Sequence, residues 1–150
     1  MNFAKYAFVA LLGTLSGVLY AQSSREFAVM GRTAWAAFEC ASLASQMKDQ
    51  AEQERLFNIG YESGKKFLEA LQSKKIEHKH ISEEVPIGFT LLIAGPSNDF
   101  VLGRVFENAQ DDALKDVLKS NGKLNSDDLQ ATLAQAKYTK QNCRLIRGSK

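Results

Sequence analysis

The residues able to do chemistry in this 150-residue chain are few and far apart. There are two cysteines, Cys40 and Cys143, and two histidines, His78 and His80. Adjacent carboxylates occur at Glu83-Glu84, Asp111-Asp112 and Asp127-Asp128. In an extended segment, His78-x-His80 would place both imidazoles on one side, as a Zn²⁺ site requires. Such a site needs three or four ligands, and no Cys, His or Asp cluster nearby supplies the rest. With both histidines in one polar stretch, a Ser-His-Asp triad is hard to build. Paired carboxylates at helix starts have a simpler electrostatic role, complementing the positive end of the helix dipole. The chain has no Gly-rich phosphate loop, no Gly-x-Ser-x-Gly elbow and no His-Glu-x-x-His. Gly95-Pro96-Ser97-Asn98-Asp99 resembles a motif, yet a helix stop followed by a helix cap accounts for every residue in it. These observations point away from an enzyme and imply no metal and no cofactor.

The cysteines instead suggest a structural bond, and the first residues suggest where it would persist. Lys5 supplies a positive start, residues 6–19 are apolar apart from small polar interruptions, and Leu19-Tyr20-Ala21 precedes Gln22 as an acceptable cleavage site. That is the pattern of a secretory signal peptide over residues 1–21, leaving a mature domain over residues 22–150. The alternative is an uncleaved N-terminal anchor, although the run falls short of the roughly 20 apolar residues that span a bilayer. No Cys follows the run to carry a lipid. Export to an oxidising periplasm would favour a disulfide between Cys40 and Cys143. A buried free thiol at Cys40 and an intermolecular bridge at Cys143 are the other possibilities. Without Lys5 the count is 18 basic against 17 acidic residues, with no basic block. Nucleic-acid binding is therefore not expected, nor is a stable membrane span after signal cleavage.

The segment that must position Cys40 is residues 33–56, which also hold the only tryptophan, Trp35. Ala36, Cys40, Leu43, Ala44, Met47 and Ala51 recur at helical spacing, widened by Trp35 and Phe38, and predict a first main helix over 33–48. Residues 25–32 read as a lead-in. Asp49 and Glu52 form a capping-box pattern, so the chain either bends there or continues as one long helix. A second helix over 50–72 would face inward through Leu56, Gly60, Gly64, Phe67, Leu68 and Leu71, its two glycines admitting a close neighbour. Residues 73–84 read as a solvated linker. Ser82 would cap a third helix containing Pro86, and the apolar run 87–94 is expected to be buried on several sides. Ser97 caps a helix over 98–119, stopped by Asn121-Gly122, and Ser126 opens a last helix that delivers Cys143. No alternating strand pattern stands out. The expected fold is all-α, a single-domain bundle of about five helices with one disulfide.

A non-catalytic binding protein with a protein partner is the function class that remains. Trp35-Ala36-x-x-x-Cys40, Phe57-Asn58-Ile59-Gly60-Tyr61 and Asn142-Cys143-Arg144-Leu145 resemble the periplasmic immunity proteins of type VI secretion amidase effectors. The resemblance covers the two ends of the mature chain and leaves residues 85–119 outside it. It implies a small exported helical inhibitor that blocks a peptidoglycan-cleaving hydrolase with a polar loop. The 73–84 linker is the first candidate for that loop, with His78, His80, Glu83 and Glu84 as contact residues. The alternatives are an envelope stress chaperone and a phage-derived protein acting on envelope enzymes. A chaperone would expose the 87–93 run under stress, whereas an inhibitor would keep it buried.

Overall fold

In the computed structural model, residues 22–148 are described; the signal-peptide reading of residues 1–21 lies outside them. The chain forms α1 (Ser24–Gln46), α2 (Gln50–Gln72), α3 (His78–Glu84), α4 (Ile87–Thr90) and α5 (Asn98–Leu118). A small hairpin, β1 (Lys119–Ser120) and β2 (Lys123–Leu124), leads to α6 (Asp127–Lys140) and a closing 3₁₀ turn (Cys143–Leu145). The architecture is all-α, with five helices of seven residues or more among the described residues.

Helix α1 begins nine residues before the expected Thr33, because Ser23 and Glu26 make a reciprocal capping box. The Glu26 amide donates to Ser23 Oγ at 3.2 Å, and the Ser23 amide donates to Glu26 Oε2 at 2.6 Å. Two orphan amides are thus satisfied at once. The helix is buried on most sides from Ala28 to Ala44, and α2, α3, α5 and α6 all pack on it. Ala28, Ala34, Ala37, Ala41 and Ala44 are fully buried, and their small size lets several neighbours approach one helix. The chain then bends at Lys48, which takes the left-handed conformation, and Asp49 caps α2 through the Glu52 amide.

Helix α2 presents no side chain at two points, which lets α1 come close at Gly60 and α5 at Gly64. A Cβ at Gly60 would lie 2.6 Å from Phe38 Cδ1, and one at Gly64 would lie 2.4 Å from Leu102 Cδ2. The core has two clusters. One gathers Trp35, Phe38, Phe67, Phe89 and Leu102. The other gathers Cys40, Leu43, Leu56, Val117, Tyr138 and Cys143. Cys40 and Cys143 form the expected disulfide, with their Cα atoms 5.6 Å apart.

Three expectations about the second half require correction. Residues 73–84 are not a free linker, since 78–84 form α3 and Ser82 lies inside it rather than capping a later helix. The apolar run 87–94 is not buried all round: it makes one helical turn that buries Phe89 and leaves Ile87 and Leu91 more than 70 % exposed. Asn121 and Gly122 both have positive φ and turn a two-residue hairpin rather than simply stopping a helix. The Asn-Gly pair suits that turn because both central residues must be left-handed. The end of α5 is capped instead by buried Asn125, whose side-chain amide donates to the Val117 carbonyl at 2.8 Å.

Candidate functional site

The four residues expected to contact a partner do not share one surface. In a helix, positions two apart point to different sides, so α3 separates His78 from His80. His78 and Glu83 are exposed, while His80 is half-buried and Glu84 is buried. Glu84 therefore does not belong to an outward contact surface. Arg25 Nε donates to Glu84 Oε1 at 2.7 Å, and Arg32 Nη1 donates to Glu84 Oε2. The Arg25 hydrogen bond, the neighbouring charge of Arg32 and that of His80 hold this carboxyl below its usual range. Ser24 Oγ accepts the Glu77 amide at 2.8 Å and lies 2.7 Å from His80 Nδ1. These contacts fasten α3 across the start of α1. The residues singled out for binding thus serve partly as an internal clamp.

Immediately after the clamp the surface turns apolar. Ile87 and Leu91 stand one helical turn apart and are 73 % and 74 % exposed. Ile93 and Phe100 add further exposed apolar surface. The backbone beneath them is held from several directions. Phe89 is fully buried and packs on Phe67, their ring centroids 5.0 Å apart. Gly88 lies against the Trp35 indole, where a Cβ would come within 2.4 Å of Cη2. Arg104 Nη1 donates to the Ala94 carbonyl at 2.9 Å, and its guanidinium lies over the Phe100 ring. The outcome is a braced apolar tip that follows in the chain the exposed α3 residues His78, Lys79 and Glu83. Sequence reasoning identified the run but placed it inside. Its composition is apolar on every side, and only the fold shows that Phe89 fills the core, with Leu92 partly buried against it, while Ile87 and Leu91 face out.

A second feature lies where the C-terminal tail crosses α2. Arg55 donates to Glu52 twice, Nε to Oε2 and Nη2 to Oε1, each at 2.7 Å. Tyr138 donates its hydroxyl proton to Glu52 Oε1. The Arg55 hydrogen bonds, aided by that of Tyr138, hold the Glu52 carboxyl down to about 2. Burial, together with the bond to Glu52, pushes the Tyr138 phenol up to about 12. Arg55 also donates through Nη1 to the Ile146 carbonyl at 3.0 Å, so one side chain ties the tail to α2. A cleft of about 740 Å³ opens beside this network, bounded by Met47, Asp49, Gln135, Arg144 and Leu145. Nothing in the sequence indicated it, because its walls come from segments about ninety residues apart.

Among the described residues no group of three or more His, Cys, Asp and Glu side chains is arranged to hold a metal ion. No helix among them is long and apolar enough to cross a membrane. Comparisons with protein-family models, curated proteins and solved structures found no match.

Proposed function

We propose that this chain is an exported, non-catalytic binding protein of the periplasm whose α4 tip docks on a protein partner, a cell-wall hydrolase in the first instance. The observation that carries the reading is the exposure of Ile87 and Leu91 on a backbone braced by Phe89, Gly88 and Arg104. Large apolar side chains exposed on a fixed backbone are a feature of interaction sites. A protruding side chain held in one place binds with little ordering entropy, which favours one shaped partner over many. The choice of a wall hydrolase rests on the resemblance at Trp35 to Cys40, Phe57 to Tyr61 and Asn142 to Leu145.

The same exposure runs against the expectation that an inhibitor keeps residues 87–93 buried, and it favours a second reading, an envelope chaperone, which would present that run. Promiscuous binders rely on flexible, often Met-rich surfaces, and the α4 tip is fixed and contains no methionine. The specific-partner reading is therefore preferred.

The test begins with the oxidised mature protein immobilised in envelope extract. Retained proteins are identified, then assayed purified for wall cleavage with and without the added chain. The proposal expects a wall hydrolase whose cleavage stops at a one-to-one ratio, and expects Ile87→Asp with Leu91→Asp to abolish that effect without unfolding the protein. Wall cleavage unaffected by the chain would sink it. Suppressed aggregation of an unrelated unfolded protein, lost in the same variant, would establish the chaperone reading instead.

A further inference from the structure

The cleft beside the disulfide has a charge arrangement that the proposed docking at α4 does not use. Of its two acidic members, Glu52 is already satisfied. Oε1 accepts from Arg55 and Tyr138, and Oε2 accepts from Arg55. Asp49 is engaged by the Glu52 amide as the helix cap. Two cationic side chains remain on the tail. Among the described residues the Arg144 guanidinium has no hydrogen-bonded acceptor, its charge only helping to lower the Glu52 carboxyl, and Arg147 donates only to the Arg144 and Ile146 carbonyls. The segment bearing both is not loose: Cys143 is bonded to Cys40, and Arg55 holds the Ile146 carbonyl. Met47 and Leu145 provide apolar wall beside these charges. The volume, about 740 Å³, suits a small molecule.

We infer that this cleft binds an oxyanion, a carboxylate or phosphate, carried on a short apolar body. Guanidinium groups recognise both anions through paired, charge-assisted hydrogen bonds. A braced segment presents them with little ordering required on binding. The apolar body would lie along Leu145 and Met47. The cleft is remote from α4, since Trp35, which underlies Gly88, and Met47 are separated by about 18 Å of helix rise. Occupation of the one surface therefore need not require the other.

The experiment titrates the oxidised protein with inorganic phosphate, hexyl phosphate and hexanoate, following amide and guanidinium signals by NMR. Expected are saturable shifts at Arg144, Arg147 and Leu145 with hexyl phosphate or hexanoate, and binding of inorganic phosphate about tenfold weaker, as loss of the apolar contact implies. The relative strength of the two hexyl ligands assigns the anion as phosphate or carboxylate. Arg144→Gln with Arg147→Gln should abolish the shifts while the protein stays folded, with only a small fall in unfolding temperature, since both side chains are exposed and Arg55 still holds the Ile146 carbonyl. Leu145→Ser should weaken the hexyl ligands and leave inorganic phosphate alone. Absence of saturable shifts with any ligand, or equal binding by the arginine variant, would overturn the inference.

Discussion

Glu52 and Tyr138 set opposite pH limits on one network. The folded state holds the Glu52 carboxyl at about 2, against an ordinary 4.5. A depressed acid stabilises the fold above its unfolded value, and that stability is lost as pH falls from about 4.5 toward 2. The raised phenol of Tyr138 works in the other direction. Its contribution is complete below 10 and fades as pH climbs toward about 12. Urea melts at stepped pH should therefore show losses at both ends. Tyr138→Phe should flatten the alkaline loss, and Glu52→Gln should flatten the acid loss while costing about 2 kcal/mol at pH 7, as truncated charged hydrogen bonds do. Glu39 behaves differently. Burial, and then the charge of Asp112, push its carboxyl up. A raised carboxyl weakens the fold where it is ionised, so Glu39→Gln should raise the unfolding temperature at pH 7 and leave it unchanged near pH 3.

At the scale of elements, the two α2 glycines should respond unequally to the same change. A methyl at Gly60 meets the Phe38 ring and lies 3.2 Å from the Ala34 carbonyl, neither of which moves easily. Gly60→Ala should destabilise by about 1–3 kcal/mol, outweighing the gain of about 1 kcal/mol in helix propensity. A methyl at Gly64 meets only the end of Leu102 at short range, and that side chain can rotate. Gly64→Ala should be close to neutral; chemical denaturation of both variants decides the comparison. The same contrast explains what the sequence revealed. Helix α5 was readable because Leu102, Phe106, Ala109, Ala113 and Val117 repeat at helical spacing, with Val105 and Leu114 beside them; of these the fold buries all but Phe106, which is partly buried. The start of α1 carries a signal too, Ser23 followed by Glu26, which lies ahead of the apolar spacing that begins near residue 33. Helix α3 had no apolar period; its placement depends on Glu84 meeting Arg25 and Arg32, partners more than fifty residues away. The exposure of Ile87 and Leu91 and the cleft at Arg144 were hidden for the same reason, since each is set by which distant segment arrives beside it.

Over the whole molecule, the covalent tie between Cys40 and Cys143 is the longest constraint, with a sequence separation of 103. Loop-closure entropy makes such a bond worth about 4–5 kcal/mol to the folded state. The paired substitution Cys40→Ala with Cys143→Ala should therefore lower the urea midpoint strongly, and reductant should do nothing further to that variant. Both sulfurs are buried, so reductant should act slowly on the native protein and quickly once it is partly unfolded. Between those sulfurs the backbone is a macrocycle, and its exposed hairpin carries Lys119 and Lys123 on either side of the Asn121-Gly122 turn. Trypsin admitted there would nick the polypeptide without dividing it: the two pieces would migrate as one species on a gel run without thiol, and as two with it.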